Sequence, residues 1–370
     1  MLDRFKVPED ARVYVAAESM RRVTEAVFRH QGLDEDDASS SADVLLMNDL
    51  RGIETHGVSN GLRRYVAEYA AARLNPRPSF NTIRESKTTM TVDADGALGI
   101  HVGPWAMQHA IDRAREYGIG AVAAFNSGHL AGCGYYAMMA AEQGMIGHCM
   151  TAGGSLQTVP PGGSRPVMGT NPMAWAAPGK SMPPFLFDVA TTQVAGNKIE
   201  LARRTGASIL PGWITDLEGN PIMDDVPAPD SGTYHMLHIG GTRENGSHKG
   251  FGLALMNEII CNELTGLGPG PLLGRPGGHF FQAYDIGAFT DPEKFKQDMD
   301  DLLTYIAEVP PAKGSDRVVY AGVLEDEEFR KRSKQGIPYH TEVIEWFESY
   351  CGEVGISCEF ELIEPSPSHS

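Results

Sequence analysis

The chain has 370 residues, 42% of them hydrophobic and 21% charged, which is the composition of an ordinary globular protein of two or three domains. A net charge of −17 at pH 7 predicts a soluble surface that repels nucleic acid and anionic membranes, although one cationic pocket would suffice to bind an anionic substrate. The sequence has no apolar run of 18 residues, no apolar signal core at its start and no C-x-x-C pair among its five cysteines, so we expect a cytoplasmic protein with reduced thiols.

Helical spacing of apolar side chains dominates the first 75 residues. The spacing between Met20 and Phe28 predicts one helix, which ends at Gly32. The acidic run 34–37 predicts the start of a second helix, because the helix dipole favours negative charge there. A third helix is predicted over 62–72.

Strands and helices are predicted to alternate after residue 88. The predicted strands are 88–94, 120–125, 146–151 and 184–189. The predicted helices are 105–117, 134–142, 195–206 and 249–266, followed by 325–333 and 342–355. Glycine and proline in 153–178 predict long loops around a site. This pattern favours an α/β or α+β core with a separate helical domain.

The first candidate site residue is His129, in a small-residue turn that begins at Asn126 and separates a predicted buried strand from a predicted helix. A histidine in such a loop can face a cleft, and its ordinary pKa of about 6.5 suits proton exchange near neutral pH. We interpret His129 as a general acid/base, with a structural loop histidine as the alternative.

A second candidate group combines His56, at a turn flanked by glycine, with Arg63 and Arg64 shortly after it. Arginine binds carboxylates through two parallel hydrogen bonds, and histidine can hydrogen-bond a neighbouring carbonyl or hydroxyl group. The group therefore suits a substrate that carries a carboxylate. A capping histidine beside solvated arginines is the alternative.

Two further residues are candidates for a ligand with phosphate and ribose groups. Lys249 stands near the start of a predicted helix, where a cation opposes the helix dipole and is typical of an anion site. Asp188 ends a predicted buried strand and could accept hydrogen bonds from ribose hydroxyls. A surface lysine and a helix-capping aspartate are the alternatives.

Several common motifs are absent from the sequence. It has no G-x-G-x-x-G after a strand, no phosphate-binding G-x-x-x-x-G-K-[ST], no H-E-x-x-H and no G-x-S-x-G. His235 and His238 have no evident carboxylate or cysteine partners, so no metal site is expected. Any dinucleotide must therefore bind outside a standard Rossmann fingerprint.

In chain order, these segments together resemble the malate/L-lactate dehydrogenase family of the non-Rossmann type, which also contains sulfolactate and ureidoglycolate dehydrogenases and cyclic-imine reductases. The segments that carry the resemblance are Asp49 to Val58, Asn126 to His129 with Gly134 to Tyr136, Gly169 to Pro172, Phe187 to Thr191, Gly212 and Trp213 with Asp216 and Gly219 to Pro221, and His248 to Leu255.

The resemblance implies a three-layer domain on a mixed, largely antiparallel sheet, beside a helical domain formed by both chain ends. The expected ranges are 1–80 for the first part of the helical domain, 81–310 for the cofactor-binding domain and 311–370 for the C-terminal helices. It also implies a homodimer that uses NAD or NADP to interconvert a small 2-oxo acid and its 2-hydroxy acid.

The resemblance also assigns roles to residues. His129 matches the family's acid/base histidine and is expected to act as an imidazolium, and His56 matches its substrate-side histidine. Asn60 stands where the family commonly has a carboxylate-binding arginine, so Arg63 or Arg64 is expected to replace it. The cofactor contacts are expected at Gly153, Asp188, Val189, Ala190 and Lys249.

Two other functions stay open at this level. The chain could reduce a cyclic imine on the same fold, or it could bind the cofactor without turning over a substrate. A screen of NADH and NADPH oxidation against 2-oxo acids and cyclic imines separates the three possibilities.

Overall fold

A computed structural model describes residues 6–273 and 277–364 of the chain. The helices are α1 (Ala17–His30), α2 (Glu35–Leu50), α3 (Val58–Ala70), α4 (Gly99–Tyr117), α5 (Gly134–Glu142), α6 (Gly196–Thr205), α7 (Ser247–Glu258), α8 (Gly270–Leu273), α9 (Pro292–Ala307), α10 (Val323–Gln335) and α11 (Thr341–Val354). The strands are β1 (Arg12–Val15), β2 (Asn81–Glu85), β3 (Thr89–Asp93), β4 (Ile119–Phe125), β5 (Ile146–Ala152), β6 (Met173–Ala177), β7 (Phe185–Val189), β8 (Ser208–Ile209), β9 (Ile214–Thr215), β10 (Val226–Pro227), β11 (His235–Met236), β12 (Gly278–Tyr284) and β13 (Ile337–His340).

Both chain ends build the helical part of the molecule. Strand β1 pairs antiparallel with β13, which brings α10 and α11 against α1, α2 and α3. Helix α2 begins where the acidic run predicts, because the Asp34 side chain accepts a hydrogen bond from the Asp37 amide. The predicted helical domain of both chain ends is thereby confirmed, while its boundaries at residues 80 and 310 stay predictions.

A seven-stranded sheet forms the other part, in the order β2-β3-β4-β12-β5-β6-β7. Only β3 and β4 run parallel, and the other five neighbouring pairs are antiparallel. Helices α4 and α5 cover one face, and α7 with the π-helical segment Ile259–Glu263 covers the other. The predicted fold, three layers on a mixed and largely antiparallel sheet, is confirmed.

Glycines let the helices lie close to this sheet. A Cβ atom at Gly120 would lie 2.0 Å from the carbonyl oxygen of Ala110 on α4. One at Gly147 would lie 2.1 Å from that of Ala137 on α5. Any larger residue would push the helix away, so the small residues of both strands set the spacing of the layers.

Two predictions about local structure are wrong, and some elements were not predicted. The loop region predicted over 153–178 contains β6, and sequence reasoning missed α9 and the central strand β12. Strand β12 carries the buried His279 and the polar Gln282, which interrupt the apolar run expected of a buried strand. The helix predicted over 249–266 is an α-helix only to Glu258, after which one π-helical turn follows.

Candidate active site

The candidate residues converge at one edge of the sheet. His279 of β12 lies opposite Ala124 near the end of β4 and opposite Thr151 near the end of β5. Likewise, Met173 at the start of β6 lies opposite Val189 at the end of β7. Because the strands are mostly antiparallel, the His129 loop, the Gly153 loop and the segment after β7 all leave the sheet at this edge.

Two histidines from different parts of the chain meet there. The His56 and His129 rings are stacked, with centroids 5.9 Å apart and planes 11° from parallel. His56 lies in the short 3-10 helix Glu54–His56 before α3, and its Nδ1 atom is 2.9 Å from the Thr55 hydroxyl. The helical part therefore supplies one imidazole and the sheet supplies the other.

The His129 ring is held from its Nδ1 side. The Tyr65 hydroxyl lies 2.6 Å from Nδ1, and the Ala131 amide donates to the same nitrogen at 3.2 Å. Asn126 and Ala131 on either side of His129 have φ of 56° and 58°, a left-handed conformation that is unfavourable for side chains other than glycine. The surrounding hydrogen bonds thus keep a strained loop in place around the imidazole.

His279 anchors this loop from the central strand, and sequence reasoning missed it. Its Nε2 atom is 2.5 Å from the Ser127 hydroxyl and 3.1 Å from the Gly128 carbonyl oxygen, while Nδ1 is 2.7 Å from the Thr151 hydroxyl. The sequence around His279 carries no signal for this role, since its partners come from the loop after β4 and from strand β5.

Burial and nearby positive charge keep both site histidines neutral. Burial and the Arg64 guanidinium lower the pKa of His56 to about 4. The pKa of His129 lies well below its usual value for the same two reasons, with His56 and His279 adding to the effect. The imidazolium expected at His129 is therefore disfavoured when no ligand is bound, because a buried cation would face another cation.

The two arginines after His56 have different environments. Arg63 is exposed, pairs with Glu342 at 3.1 Å and lies over the Trp346 ring at 5.5 Å. Arg64 lies beside the two histidines, and its Nε and Nη2 atoms are buried without a hydrogen-bond partner among the described residues. Buried donors in native proteins are almost always bonded, so the Arg64 donors are suited to a ligand's acceptor atoms.

Asn60 lies away from these donors. Its side-chain amide donates to the Glu54 carbonyl oxygen at 2.9 Å, and its oxygen accepts a long hydrogen bond of 3.4 Å from Arg204. Asn60 thus supports the 3-10 helix that carries His56.

A buried aspartate, Asp49, also supports the 3-10 helix that carries His56. The Asp49 side chain accepts from the Val58 amide at 2.9 Å and from the Tyr339 hydroxyl at 2.8 Å. Burial raises its pKa to about 7. Gly57 lies so close that a Cβ atom there would be 1.7 Å from Asp49 Oδ1. The C-terminal strand β13 therefore helps to position His56.

The predicted cofactor residues surround the same edge of the sheet. Gly153 has φ of 131°, and a Cβ atom there would lie 2.3 Å from the Cα atom of Gly277, so this turn accepts only glycine. The next residues, 154–156, are exposed. The turn offers open backbone beside His279, which fits a ligand that needs close approach to the main chain.

Asp188, Val189 and Ala190 follow at the end of β7. Asp188 accepts from the Gly134 amide at the start of α5 at 2.7 Å, and burial raises its pKa to about 6. This bond caps α5, the alternative weighed for Asp188. Val189 packs against the small apolar cluster that contains Met150 and Met173, and Ala190 follows it.

Lys249 lies in the first turn of α7, exposed and without an ion-pair partner among the described residues. The N-terminus of α7 lies close to the segment after β7, since a Cβ atom at Gly250 would be 2.5 Å from the Ile239 amide nitrogen, and the Ile239 amide donates to the Thr191 carbonyl oxygen. Lys249 therefore adds a free cation near this end of the sheet.

Two structural features are absent from residues 6–273 and 277–364. No group of three or more histidine, cysteine, aspartate or glutamate side chains there could hold a metal ion. No helix in that part of the chain has the length and apolarity needed to cross a membrane.

A model of the malate/L-lactate dehydrogenase family matches residues 15–348. The chain belongs to the malate/L-lactate dehydrogenase family. It is 38% identical to a malate dehydrogenase of Pyrococcus horikoshii over 337 residues, which cover 89% of this chain and 92% of the relative. It is 31% identical to an L-sulfolactate dehydrogenase of Methanocaldococcus jannaschii over 350 residues, covering 92% and 97%.

A solved structure agrees with this assignment. The structure of malate dehydrogenase from Pyrococcus horikoshii superposes with a TM-score of 0.84 at 33% identity, and it covers 95% of this chain and 98% of that one. The family expected from the motifs is thereby confirmed. In this member of the malate/L-lactate dehydrogenase family, sequence reasoning identified the histidine pair but missed Tyr65, Asp49 and His279, which hold it.

Proposed function

We propose that this chain is an NAD(P)-dependent oxidoreductase that interconverts a small 2-oxo acid and its 2-hydroxy acid. The observation that carries the proposal is a stacked pair of imidazoles beside a buried guanidinium with two unbonded donors. If the substrate carboxylate binds Arg64, the oxygen on the adjacent carbon C2 would lie beside the two imidazole rings, where a proton has to be transferred. Malate and sulfolactate, named for two relatives, are both 2-hydroxy acids.

Each side chain has a distinct part in this reaction. His129 gives a proton to the C2 oxygen in reduction, since its Nε2 atom has no partner among the described residues while Nδ1 is occupied. His56 hydrogen-bonds the substrate and helps to align it. Arg64 binds the carboxylate. A positioned acid contributes on the order of a hundred- to ten-thousand-fold in rate.

The residues at the edge of the sheet fit a nicotinamide dinucleotide, which supplies or accepts the hydride at C2 when bound. Gly153 and the exposed backbone after it would lie along the ligand, and Lys249 would pair with one of its phosphates. Val189 and Ala190 would contact it at the end of β7. The side chains are compatible with either NAD or NADP.

We also propose that two copies of the chain form a homodimer through the outer surface of α7 and the segment after it. Met256, Ile259 and Leu264 are 54%, 49% and 59% exposed, and Leu272 on α8 is 83% exposed. Several exposed large apolar side chains along one segment are typical of an interface. Its position on the layer beside β5 and β12 would put the interface next to the cofactor residues.

The function is tested by measuring NADH and NADPH oxidation with a panel of 2-oxo acids and cyclic imines. We expect turnover of a 2-oxo acid, and His129→Ala to lower kcat by at least about a hundredfold with the fold retained. The control is His30→Ala, because His30 is exposed at the end of α1. Turnover of cyclic imines alone would favour an imine reductase, and cofactor binding without any turnover would favour a binding protein.

The dimer is tested by light scattering after size-exclusion chromatography. We expect Ile259→Glu to give monomers, because a charge would be buried at the interface. Leu302→Glu is the matched control, since Leu302 is equally exposed, at 51%, but lies on α9. A monomeric wild-type protein would refute the proposal.

A further inference from the structure

The hydrogen bonds on His129 determine which ring nitrogen holds the proton. Nδ1 faces the Ala131 amide at 3.2 Å and the Tyr65 hydroxyl at 2.6 Å. An amide N–H can only donate, so Nδ1 must accept and cannot carry a hydrogen in this arrangement. The single proton of the neutral ring is therefore on Nε2. The Tyr65 hydroxyl, which meets the same lone pair, is also oriented to donate.

This arrangement creates a requirement for catalysis. If Nε2 gives its proton away while Nδ1 has none, the ring becomes an imidazolate, which is far too basic to form in a protein at neutral pH. Nδ1 must therefore take up a proton as Nε2 loses one. The Tyr65 hydroxyl is the only titratable group in hydrogen-bond contact with Nδ1 among the described residues.

The surroundings of Tyr65 favour this transfer. Tyr65 is fully buried on α3, and the Arg64 guanidinium carbon lies 5.2 Å from the centre of its ring. Burial raises the pKa of Tyr65, and the positive charge of Arg64 opposes that rise. The phenol therefore keeps its proton at rest and can lose it only when Nδ1 becomes basic, next to a cation that stabilises the phenolate.

We propose that Tyr65 is a positioning and proton-supplying residue that acts through His129. In the direction of reduction, hydride addition at C2 turns the carbonyl oxygen into an alkoxide. The Nε2–H bond of His129 breaks and an O–H bond forms on the substrate, while the Tyr65 O–H bond breaks and an N–H bond forms at Nδ1. After product release a proton from solvent is taken up at Nε2, and Nδ1 returns its proton to the Tyr65 phenolate, which restores the resting tautomer. The proposal rests on the proposed function, with a reduced nicotinamide as the hydride donor.

Tyr65→Phe tests the proposal, with Tyr69→Phe as a matched control. Tyr69 lies one turn further along α3, is also buried, and its hydroxyl has no partner among the described residues. We expect Tyr65→Phe to lower the single-turnover rate of reduction at least about tenfold with little change in KM, and Tyr69→Phe to leave the rate within about twofold of wild type.

A proton inventory distinguishes proton supply from packing. Single-turnover rates are measured in mixtures of H2O and D2O. The wild type and Tyr69→Phe should show the curved dependence of two protons moving together, and Tyr65→Phe a linear one. Rates of Tyr65→Phe within about twofold of wild type, or curvature that survives in this variant, would overturn the proposal.

The tautomer is tested without turnover. The ¹⁵N chemical shifts of the His129 ring in the resting wild-type protein should show a protonated Nε2 and an unprotonated Nδ1. A protonated Nδ1 would overturn the proposal whatever the kinetics show. If no 2-oxo acid or imine is turned over, the proposed function fails, and the ring shifts still decide the tautomer.

Discussion

Arg64 offers the sharpest test of how the site binds its substrate. Replacing it with methionine keeps a long side chain and removes both the charge and the donors. The buried Nε and Nη2 atoms have no partner among the described residues, so both are free for a carboxylate. A hydrogen bond to a charged group contributes about 1.5–3 kcal/mol, so losing two costs at least about 3 kcal/mol, or about a hundredfold in kcat/KM.

The assay compares a 2-oxo acid with its uncharged amide. For wild type, kcat/KM should strongly favour the acid, and in Arg64→Met this preference should largely disappear, mainly through KM. Arg63→Met is the matched control, because Arg63 is exposed and bound to Glu342. It should leave kcat/KM within about twofold of wild type. An unchanged KM in Arg64→Met would refute the assignment of the carboxylate site.

The melting temperature of Arg64→Met is a second measurement, and it should change in the opposite direction to activity. Without a ligand, Arg64 is a half-buried cation with two buried, unbonded donor atoms, which costs free energy in the folded state. Arg64→Met should therefore keep or raise Tm while activity falls. A Tm that falls as steeply as the activity would show that Arg64 serves the fold instead of the substrate.

Three further predictions concern the residues that hold the histidines. Gly57→Ala should destabilise the protein by several kcal/mol, because the added Cβ atom would collide with Asp49 Oδ1. The control is Gly252→Ala, which has open space around it and should be neutral or stabilising by up to about 1 kcal/mol. Urea unfolding measures both changes. Burial raises the pKa of Asp49 from 3.8 to about 7, so the contribution of Asp49 to stability falls as pH rises through this range. The free energy of unfolding of Asp49→Asn should therefore exceed that of wild type by up to about 4 kcal/mol at pH 8 and should equal it near pH 3. An equal difference at both pH values would contradict this. His279→Phe should lower kcat at least about tenfold with the fold retained, because the hydrogen bonds to Ser127 and the Gly128 carbonyl oxygen are lost. A kcat equal to that of wild type would show that the His129 loop keeps its conformation without His279.

Most helices and the strand before His129 were predictable because the sequence patterns that indicate them are local. The acidic run after Gly32 caps α2 through Asp34, as the helix dipole argument requires. The helix predicted over 134–142 matches α5. The apolar run before His129 is β4, buried on both faces. Such patterns depend on neighbours within one or two turns, so the sequence contains the information needed.

The central strand β12 shows why other elements were missed. It pairs with β4 and β5, which come more than 120 residues earlier, and its register depends on those partners. His279 is polar and buried because two hydroxyls and a carbonyl oxygen from other segments bond it. No local pattern shows that these partners exist, so the strand resembles a loop in sequence.

By itself, the sequence determined the family, the order of the motifs and the two histidines, because these are properties of short segments. Only the tertiary structure decided that Arg64 and not Arg63 faces the imidazoles, and that Nδ1 of His129 is occupied by Tyr65 and Ala131. Adjacent residues on a helix point about 100° apart, so which arginine reaches the site depends on how α3 packs against the sheet. The protonation of a ring nitrogen likewise depends on groups that folding brings into hydrogen-bond contact.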